Sequence, residues 1–130
     1  MARETGDVGV ILSPNSDIGV IRANWWTWRP TVELLVRRGV VTADDGEWMH
    51  VAMGQIEFTD AQAVSMADAV ASVLAEFDTE RDRLMLDGSI SARPPRHDHL
   101  PAEWDWYGAN REWLESFASF CRRSGGFTPQ

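Results

Sequence analysis

A chain of 130 residues with 44% hydrophobic and 25% charged side chains has the composition of one globular domain, which excludes wholesale disorder. Its formal charge is −8 and no basic stripe offsets it, so nucleic-acid binding is disfavoured. Cys121 is the single cysteine, which excludes an intrachain disulfide, and no segment has the pattern of a signal peptide or a membrane span. We therefore expect an acidic, cytoplasmic protein that does not bind membranes.

The first predicted elements are a β-hairpin and a helix, joined by a tryptophan-rich segment. Two β-branched runs flank the turn-forming residues 13–17, which predicts a hairpin within residues 8–23. The proline at position 30 suits the start of a helix, and apolar residues recur at helical spacing after it. The first helix is therefore predicted over Pro30–Arg38, with residues 24–28 extended before it.

The middle of the chain contains the longest predicted helix. Residues 40–58 carry no clear periodicity, and Asp44-Asp45-Gly46 favours a turn there. The segment Thr59–Gln62 then has the spacing of a capping box, and the apolar residues after it recur at helical spacing. This pattern predicts a helix over Asp60–Glu76 that extends at most to Leu86.

The last third predicts a long loop and a terminal helix. Residues 87–108 contain three prolines and read as a loop, which is long for a compact domain. Asn110 can cap a helix that Gly125-Gly126 ends. We predict one compact domain over residues 1–130, of α+β class and mainly α. In it three helices pack together with an N-terminal β-hairpin.

Three stretches of the sequence form a recognisable set. They are Asn24–Pro30, then Gly54-Gln55 before an alanine-rich helix, and finally Phe120-Cys121-Arg122 with Gly125-Gly126-Phe127. The set resembles a group of small uncharacterised bacterial and phage proteins with an N-W-x-W-R-P-like opening and an F-C-R…G-G-F ending. The resemblance implies a compact bacterial domain. Because no activity is attached to that group, it implies no chemistry.

One segment offers a candidate metal site. His97 and His99 are two residues apart, and Glu103 and Asp105 follow. Imidazoles and carboxylates are ligands that Zn²⁺ accepts, which raises the hypothesis of a small metal-dependent hydrolase. Structural zinc sites usually show four spaced ligands, and this pattern has no second half. A solvated loop is therefore favoured, and no metal or cofactor is expected.

Other catalytic motifs are not found in the sequence. It contains no G-x-S-x-G elbow, no P-loop and no dinucleotide fingerprint. Cys121 falls on the apolar side of the last predicted helix, where cysteine behaves as a small hydrophobe. His50 follows Trp48 and Met49 in an apolar neighbourhood, which favours a partly buried histidine. No catalytic residue is predicted, and an enzyme is disfavoured.

The candidate binding residues are Trp25, Trp26, Trp28 and Arg29. In an extended segment Trp26 and Trp28 share one face and Trp25 takes the other, so one sheet face cannot bury all three indoles. In one interpretation the exposed indole and Arg29 form the rim of a binding site. In the other, which we favour, the rings pack the core and Arg29 pairs internally, for example with Glu33.

The first functional hypothesis is a non-catalytic protein-binding module, such as an inhibitor or an immunity-type factor. Its motivation is the negative charge, which suits a basic protein partner, and the excess of aromatic side chains. The alternatives are the metal-dependent hydrolase at His97 and His99 and a homo-oligomeric structural protein. The sequence leaves the oligomeric state open.

Overall fold

The computed structural model describes residues 9–92 and 107–130, and within them it contains four helices and seven strands. In chain order these are β1 (Gly9–Pro14), β2 (Ile21–Asn24), α1 (Trp25–Arg37), α2 (Ala43–Val51), β3 (Phe58–Thr59), α3 (Asp60–Leu74), β4 (Arg83–Met85), β5 (Ile90–Ser91), β6 (Gly108–Asn110), α4 (Arg111–Arg123) and β7 (Gly126–Pro129). The strands form two antiparallel sheets, of order β2-β1-β7-β3 and β5-β4-β6. The prediction of a mainly α fold with three helices and one hairpin is therefore wrong. The described fold is mixed α+β, with a fourth helix and a second sheet.

The N-terminal hairpin is one part of the larger sheet. β1 and β2 pair as antiparallel neighbours from Gly9 opposite Asn24 to Leu12 opposite Ile21, so the hairpin ends one residue beyond the predicted 8–23 segment. The other edge of β1 pairs with β7, and β7 pairs with β3. A Cβ at Gly126 would collide with the carbonyl oxygen of Phe58, so only glycine lets β7 approach β3 this closely. These pairings are long-range, which is why the sequence pattern showed only the hairpin.

Helix α1 begins five residues before the predicted start. Asn24 is its N-cap, and the Asn24 side chain accepts a hydrogen bond from the Thr27 backbone N–H at 2.9 Å. Pro30 lies inside the helix, where its buried ring contributes to the core side. The prediction that residues 24–28 are extended is therefore right for Asn24, the last residue of β2, and wrong for residues 25–28, which are helical. The tryptophans of this segment are distributed around a helix, at about 100° per residue.

Helix α2 was missed because a glycine and two aspartates resemble a turn. Thr42 caps the helix by accepting the Asp45 backbone N–H at 3.0 Å. Gly46 is buried inside α2, and a Cβ there would lie 2.7 Å from Cγ2 of Val36. The glycine therefore allows α2 to pack closely on α1, and the turn predicted for residues 44–46 is wrong.

The capping signals of the other two helices were interpreted correctly. Thr59 and Gln62 form the predicted capping box at the start of α3. Asn110 caps α4 by accepting the Trp113 backbone N–H at 2.8 Å. α3 ends at Leu74, so its possible extension does not occur.

Strands occupy part of the predicted 87–108 loop. Residues 90–91 form β5, and residue 108 begins β6, which pairs with β4. The segment 93–106 lies outside the described residues. The second sheet is built from strands of two or three residues, which are too short to show a period of two in the sequence.

Aromatic side chains link the helices to the first sheet. The ring of Trp28 on α1 lies 6.0 Å from Phe117 on α4, edge to face. Phe127 on β7 lies 6.2 Å from Phe117 and 5.6 Å from Phe120, again edge to face. The core therefore runs continuously from α1 through α4 to the centre of the sheet.

The β1–β2 connection holds the end of α4. The Ser16 hydroxyl donates to the Arg123 carbonyl at 2.8 Å, and its N–H donates to the Ser124 carbonyl at 2.8 Å. The Asn15 amide donates to the Gly125 carbonyl at 3.1 Å. These contacts satisfy carbonyls that the helix end leaves without an intrahelical partner.

Within the two described ranges, no helix has both the length and the apolar character needed to cross a bilayer.

Candidate binding face

The structure divides the four predicted binding residues into two groups. Trp28 is fully buried, and its indole N–H donates to the Met49 carbonyl at 2.9 Å. Trp25 is half-buried and packs against the core. Trp26 keeps 38% of its surface exposed, and Arg29 is exposed as well. Trp28 and Trp25 are thus core anchors, whereas Trp26 and Arg29 are placed where a ligand can reach them.

Tyr107 completes a cluster with the two exposed residues. Its ring centroid lies 4.7 Å from that of Trp26, with the ring planes tilted by 48°. The Arg29 guanidinium carbon lies 5.3 Å from the Tyr107 ring centroid, and Arg29 Nη1 donates to the Tyr107 hydroxyl at 3.4 Å. This is cation–π geometry with a long hydrogen bond. We call this group the Trp26–Arg29–Tyr107 cluster.

Sequence reasoning missed Tyr107, and the reason is its distance along the chain. It lies 78 residues after Arg29, beside the start of β6, and only the packing of β6 near α1 brings the two together. A single tyrosine between a loop and a short strand carries no periodic signal. Only the folded arrangement identifies it as a member of the site.

The outward face of α1 continues from the cluster to a second polar contact. Trp26, Arg29 and Glu33 are three and four residues apart, so they share one face of the helix. Arg29 has an internal partner, but that partner is Tyr107 and not Glu33, the example that the sequence suggested. The Glu33 carboxylate lies 3.1 Å from His50 Nε2 on α2.

His50 joins α2 to α1 through this contact. When Nε2 donates to the Glu33 carboxylate, Nδ1 of the neutral ring is left as an acceptor. Nδ1 is buried and has no hydrogen-bond partner within the described ranges. The ring is half-buried between the two helices, as the apolar neighbourhood of His50 predicted. Its described contacts give it a structural role in orienting α2.

Two further candidates from the sequence are the histidine pair at positions 97 and 99 and the single cysteine, Cys121. His97 and His99 lie outside the described residues, and so do Glu103 and Asp105. In the part of the chain that is described, no three histidine, cysteine, aspartate or glutamate side chains are grouped as a metal ion requires. Cys121 is fully buried, and burial raises the pKa of its thiol, which disfavours the nucleophilic thiolate.

A shallow groove of about 400 Å³ lies between residues 18–21 and α4. Ile21 and Phe120 contribute apolar surface to it, while Glu112 and Arg123 line it at opposite ends of the helix. An acid in the first turn and a base in the last turn stabilise a helix through its dipole. The charges of this groove therefore have a structural explanation.

The chain was compared with models of protein families, with curated proteins and with solved structures, and none of them matches it. The resemblance indicated by the Asn24–Pro30 and Phe120–Phe127 motifs therefore stays a prediction. The function must be argued from the geometry of the described residues.

Proposed function

We propose that this protein is a non-catalytic binding module that contacts a protein partner through the Trp26–Arg29–Tyr107 cluster. The observation that carries the proposal is an exposed indole held in place by a second ring and a guanidinium. Tryptophan, tyrosine and arginine are the residue types most enriched among the few side chains that dominate interface energies. Here all three types meet on one surface.

The cluster is held in position before any partner binds. Tyr107 contacts both Trp26 and Arg29, so each of the three side chains limits the movement of the others. Freezing a mobile side chain on binding costs about 0.5–1.5 kcal/mol, and a side chain that is already held avoids much of that cost. The side chains of this cluster are ordered in advance, which favours its interpretation as a recognition surface.

Burial separates this surface from an ordinary core contact. Trp28, two residues from Trp26, is fully buried and its indole N–H is hydrogen-bonded within the protein. Trp26 has a side chain of the same size, but more than a third of its surface is exposed to solvent. Trp26 therefore offers a partner contact surface that Trp28 does not.

The charge of the chain indicates the nature of the partner. A net charge of −8 raises the association rate of a basic protein and repels acidic ones. An acidic cytoplasmic protein that blocks a basic target, as an inhibitor or immunity-type factor does, fits this combination. No described residue favours the hydrolase or the structural homo-oligomer, and we propose neither.

Photo-crosslinking tests the proposal even while the partner is unidentified. Trp26 is replaced by the photoreactive residue benzoyl-phenylalanine, and the protein is irradiated in a lysate of its source organism. The matched control carries the same group at Val20, which is also apolar and exposed but lies before β2. We expect a discrete adduct from position 26 and none of the same mass from position 20.

Competition then links the adduct to the cluster. Unlabelled wild-type protein should suppress the adduct, while Trp26→Ala and Arg29→Ala should each need at least about 10-fold more protein, as hot-spot residues do. Arg81→Ala removes an arginine that is exposed elsewhere and should compete as the wild type does. Equal competition by folded Trp26→Ala and Arg29→Ala would contradict the proposal.

A further inference from the structure

The outward face of α2 and the turn that follows it carry the densest group of exposed apolar side chains in the described ranges. Of the five large apolar side chains that are exposed in the described ranges, Trp48, Val51 and Met53 fall within six consecutive residues. Their exposed fractions are 46%, 46% and 71%. Single exposed apolar residues are normal on protein surfaces, but a group of them marks an interaction site. This group lies outside the Trp26–Arg29–Tyr107 cluster.

The geometry of α2 fixes these side chains in the outward direction. Trp48 and Val51 are three residues apart and are therefore neighbours on the helix surface. Between them lies Met49, which is fully buried and packs into the core. The helix cannot rotate to hide Trp48 without exposing Met49.

Two backbone hydrogen bonds fix the chain just after α2. Ala52 adopts a left-handed conformation with φ +53°, its N–H donates to the Trp48 carbonyl at 2.9 Å, and its side chain is buried. Gly54 N–H then donates to the Pro129 carbonyl at 3.0 Å. Met53 stands between these two fixed points, so its exposure belongs to an ordered turn.

Acidic side chains occupy the rest of the same face. Asp44 is four residues before Trp48, and Glu47 is four residues before Val51, so each carboxylate lies one turn from an exposed apolar group. Both acids are exposed. The helix dipole stabilises Asp44 in the first turn of α2, but neither it nor Glu47 is paired with a cationic side chain in the described ranges. The face therefore combines uncovered apolar surface with exposed carboxylates.

We propose that this face of α2 binds a basic protein segment that carries an apolar side chain between lysine or arginine residues. The apolar side chain covers Trp48, Val51 and Met53, and the cations pair with Asp44 and Glu47. The inference is independent of the Trp26–Arg29–Tyr107 cluster and stands whether or not that cluster binds a partner.

Charge selects this occupant over two others. A second copy of the chain also carries −8, and a twofold contact through α2 would bring the Asp44 and Glu47 side chains of both copies together. A membrane surface rich in anionic lipids repels the same carboxylates. A basic segment gains both apolar contact and charge neutralisation.

The test uses a defined probe, a helical amphipathic peptide made of leucine and lysine, with a leucine–glutamate peptide of the same pattern as its charge control. Binding is followed by titration calorimetry, and the surface is located by chemical-shift changes in ¹H–¹⁵N spectra of the full chain. We expect the lysine peptide to bind and to shift the Trp48 indole and Met53 amide signals. The glutamate peptide should produce no saturable binding.

Variants assign the binding to the face. Trp48→Ala and Met53→Ser should each weaken the lysine peptide by at least about 5-fold, since each removes apolar contact area. Glu47→Gln should weaken it about 2–3-fold and flatten its dependence on salt. Val20→Ser alters an exposed apolar residue elsewhere and should leave the affinity unchanged. Met53→Ser keeps the test valid if Trp48→Ala unfolds, because Met53 is 71% exposed.

Three results would overturn the inference. One is equal affinity of the lysine peptide for wild type and folded Met53→Ser. Another is a dimer in light scattering that Met53→Ser converts to a monomer, which would identify a second copy as the occupant. The last is binding to phosphatidylserine vesicles that requires Met53. None of these outcomes bears on crosslinking from position 26, so the two proposals fail separately.

Discussion

Trp26 and Trp28 are the same residue type in the same turn of α1, yet the protein uses them in opposite ways. Trp28 is fully buried against Phe117 and is hydrogen-bonded to the Met49 carbonyl. Trp26 lies at the surface, against Tyr107. A separation of two residues corresponds to about 200° of rotation, which places the two rings on opposite sides of the helix. Composition alone therefore says little about which tryptophan stabilises the fold.

The same contrast extends along the whole helix. The inward side of α1 packs against α2 and β6 and contacts α4 through Trp28 and Thr31, so a change there leaves a cavity or an unpaired polar group. On the outward side Arg29 contacts Tyr107, Glu33 contacts His50 and Arg37 donates to the Leu86 carbonyl, and all three α1 side chains are partly or fully exposed. The same kind of substitution should therefore lower the free energy of unfolding much more on the inward side than on the outward side.

The largest effect is expected at the inward tryptophan. Trp28→Ala should lower the free energy of unfolding by about 3–5 kcal/mol, the range for truncating a large buried aromatic residue. Trp26→Ala should lower it by less than about 1 kcal/mol, as is usual at an exposed position. Urea denaturation followed by circular dichroism measures both. Equal losses from the two substitutions would break the comparison.

A smaller loss is expected from a buried hydroxyl on the inward side. Thr31 accepts the Trp113 indole N–H at 2.9 Å and donates to the Thr27 carbonyl at 2.9 Å. Thr31→Val keeps the shape but leaves the indole N–H unpaired, which should cost about 1–3 kcal/mol. Trp113→Phe removes that donor, so the double variant should recover part of the loss. A purely additive double variant would show that the hydrogen bond is unimportant.

Acid titration extends the comparison to carboxylates. Asp82 is buried and accepts the Asp78 N–H at 2.6 Å, the Thr79 N–H at 3.2 Å and the Thr79 hydroxyl at 3.1 Å. These bonds, led by the one from Asp78, hold the pKa of Asp82 below its ordinary value. The ionised carboxylate therefore stabilises the fold above about pH 3.9, which is the pKa of an aspartate in an unfolded chain. That stabilisation is lost as the pH falls through the lower pKa of Asp82 in the folded protein.

We expect Asp82→Asn to lower the melting temperature at pH 7, with the gap from wild type closing as the solution is acidified. Thermal melts at a series of pH values between neutrality and strong acid measure the gap. Asp78→Asn is the matched control, because it retains the backbone donor and changes an exposed side chain. A gap that stayed constant at all pH values would show that ionisation of Asp82 does not contribute.

The smallest effect is expected within the exposed cluster itself. A double-variant cycle of Arg29→Ala and Tyr107→Leu should give a coupling energy of about 0.5–1 kcal/mol, the size of an exposed cation–π contact. Each single variant should remain folded, because neither side chain fills the core. A coupling energy of several kcal/mol would mean that the cluster stabilises the fold. The cluster would then resemble the buried Trp28 in its role, which would contradict the comparison.

Local signals in the sequence were reliable where side chain and backbone interact within one turn. The capping box at Thr59–Gln62 and the cap at Asn110 depend only on residues three positions apart, so both could be predicted. At α1 only Pro30 was used as a start signal, and the start predicted from it was five residues late. The side chain of Asn24 caps the helix, and Pro30 is accommodated inside it.

Features that depend on distant partners could not be predicted. Gly46 resembles a turn residue until Val36 is seen to fill the space where its side chain would be. β3 and β5 contain two residues each and exist only because β7 and β4 pair with them. For the candidate site, the sequence identified Trp26 and Arg29 as part of a larger set. It could not separate them from Trp28, and it could not add Tyr107.

The position of β7 has a consequence for how the protein folds. β7 lies in the interior of the first sheet, between β1 and β3, and joins Leu12 to Pro129 across most of the sequence. While the chain is being synthesised, the β1–β2 hairpin can form, but its inner neighbour does not exist until residues 126–129 have been made. Closing so long a loop is entropically costly and slows folding. During translation the edge of β1 that later pairs with β7 is therefore an unpaired strand edge. It becomes paired only after β7 has been made.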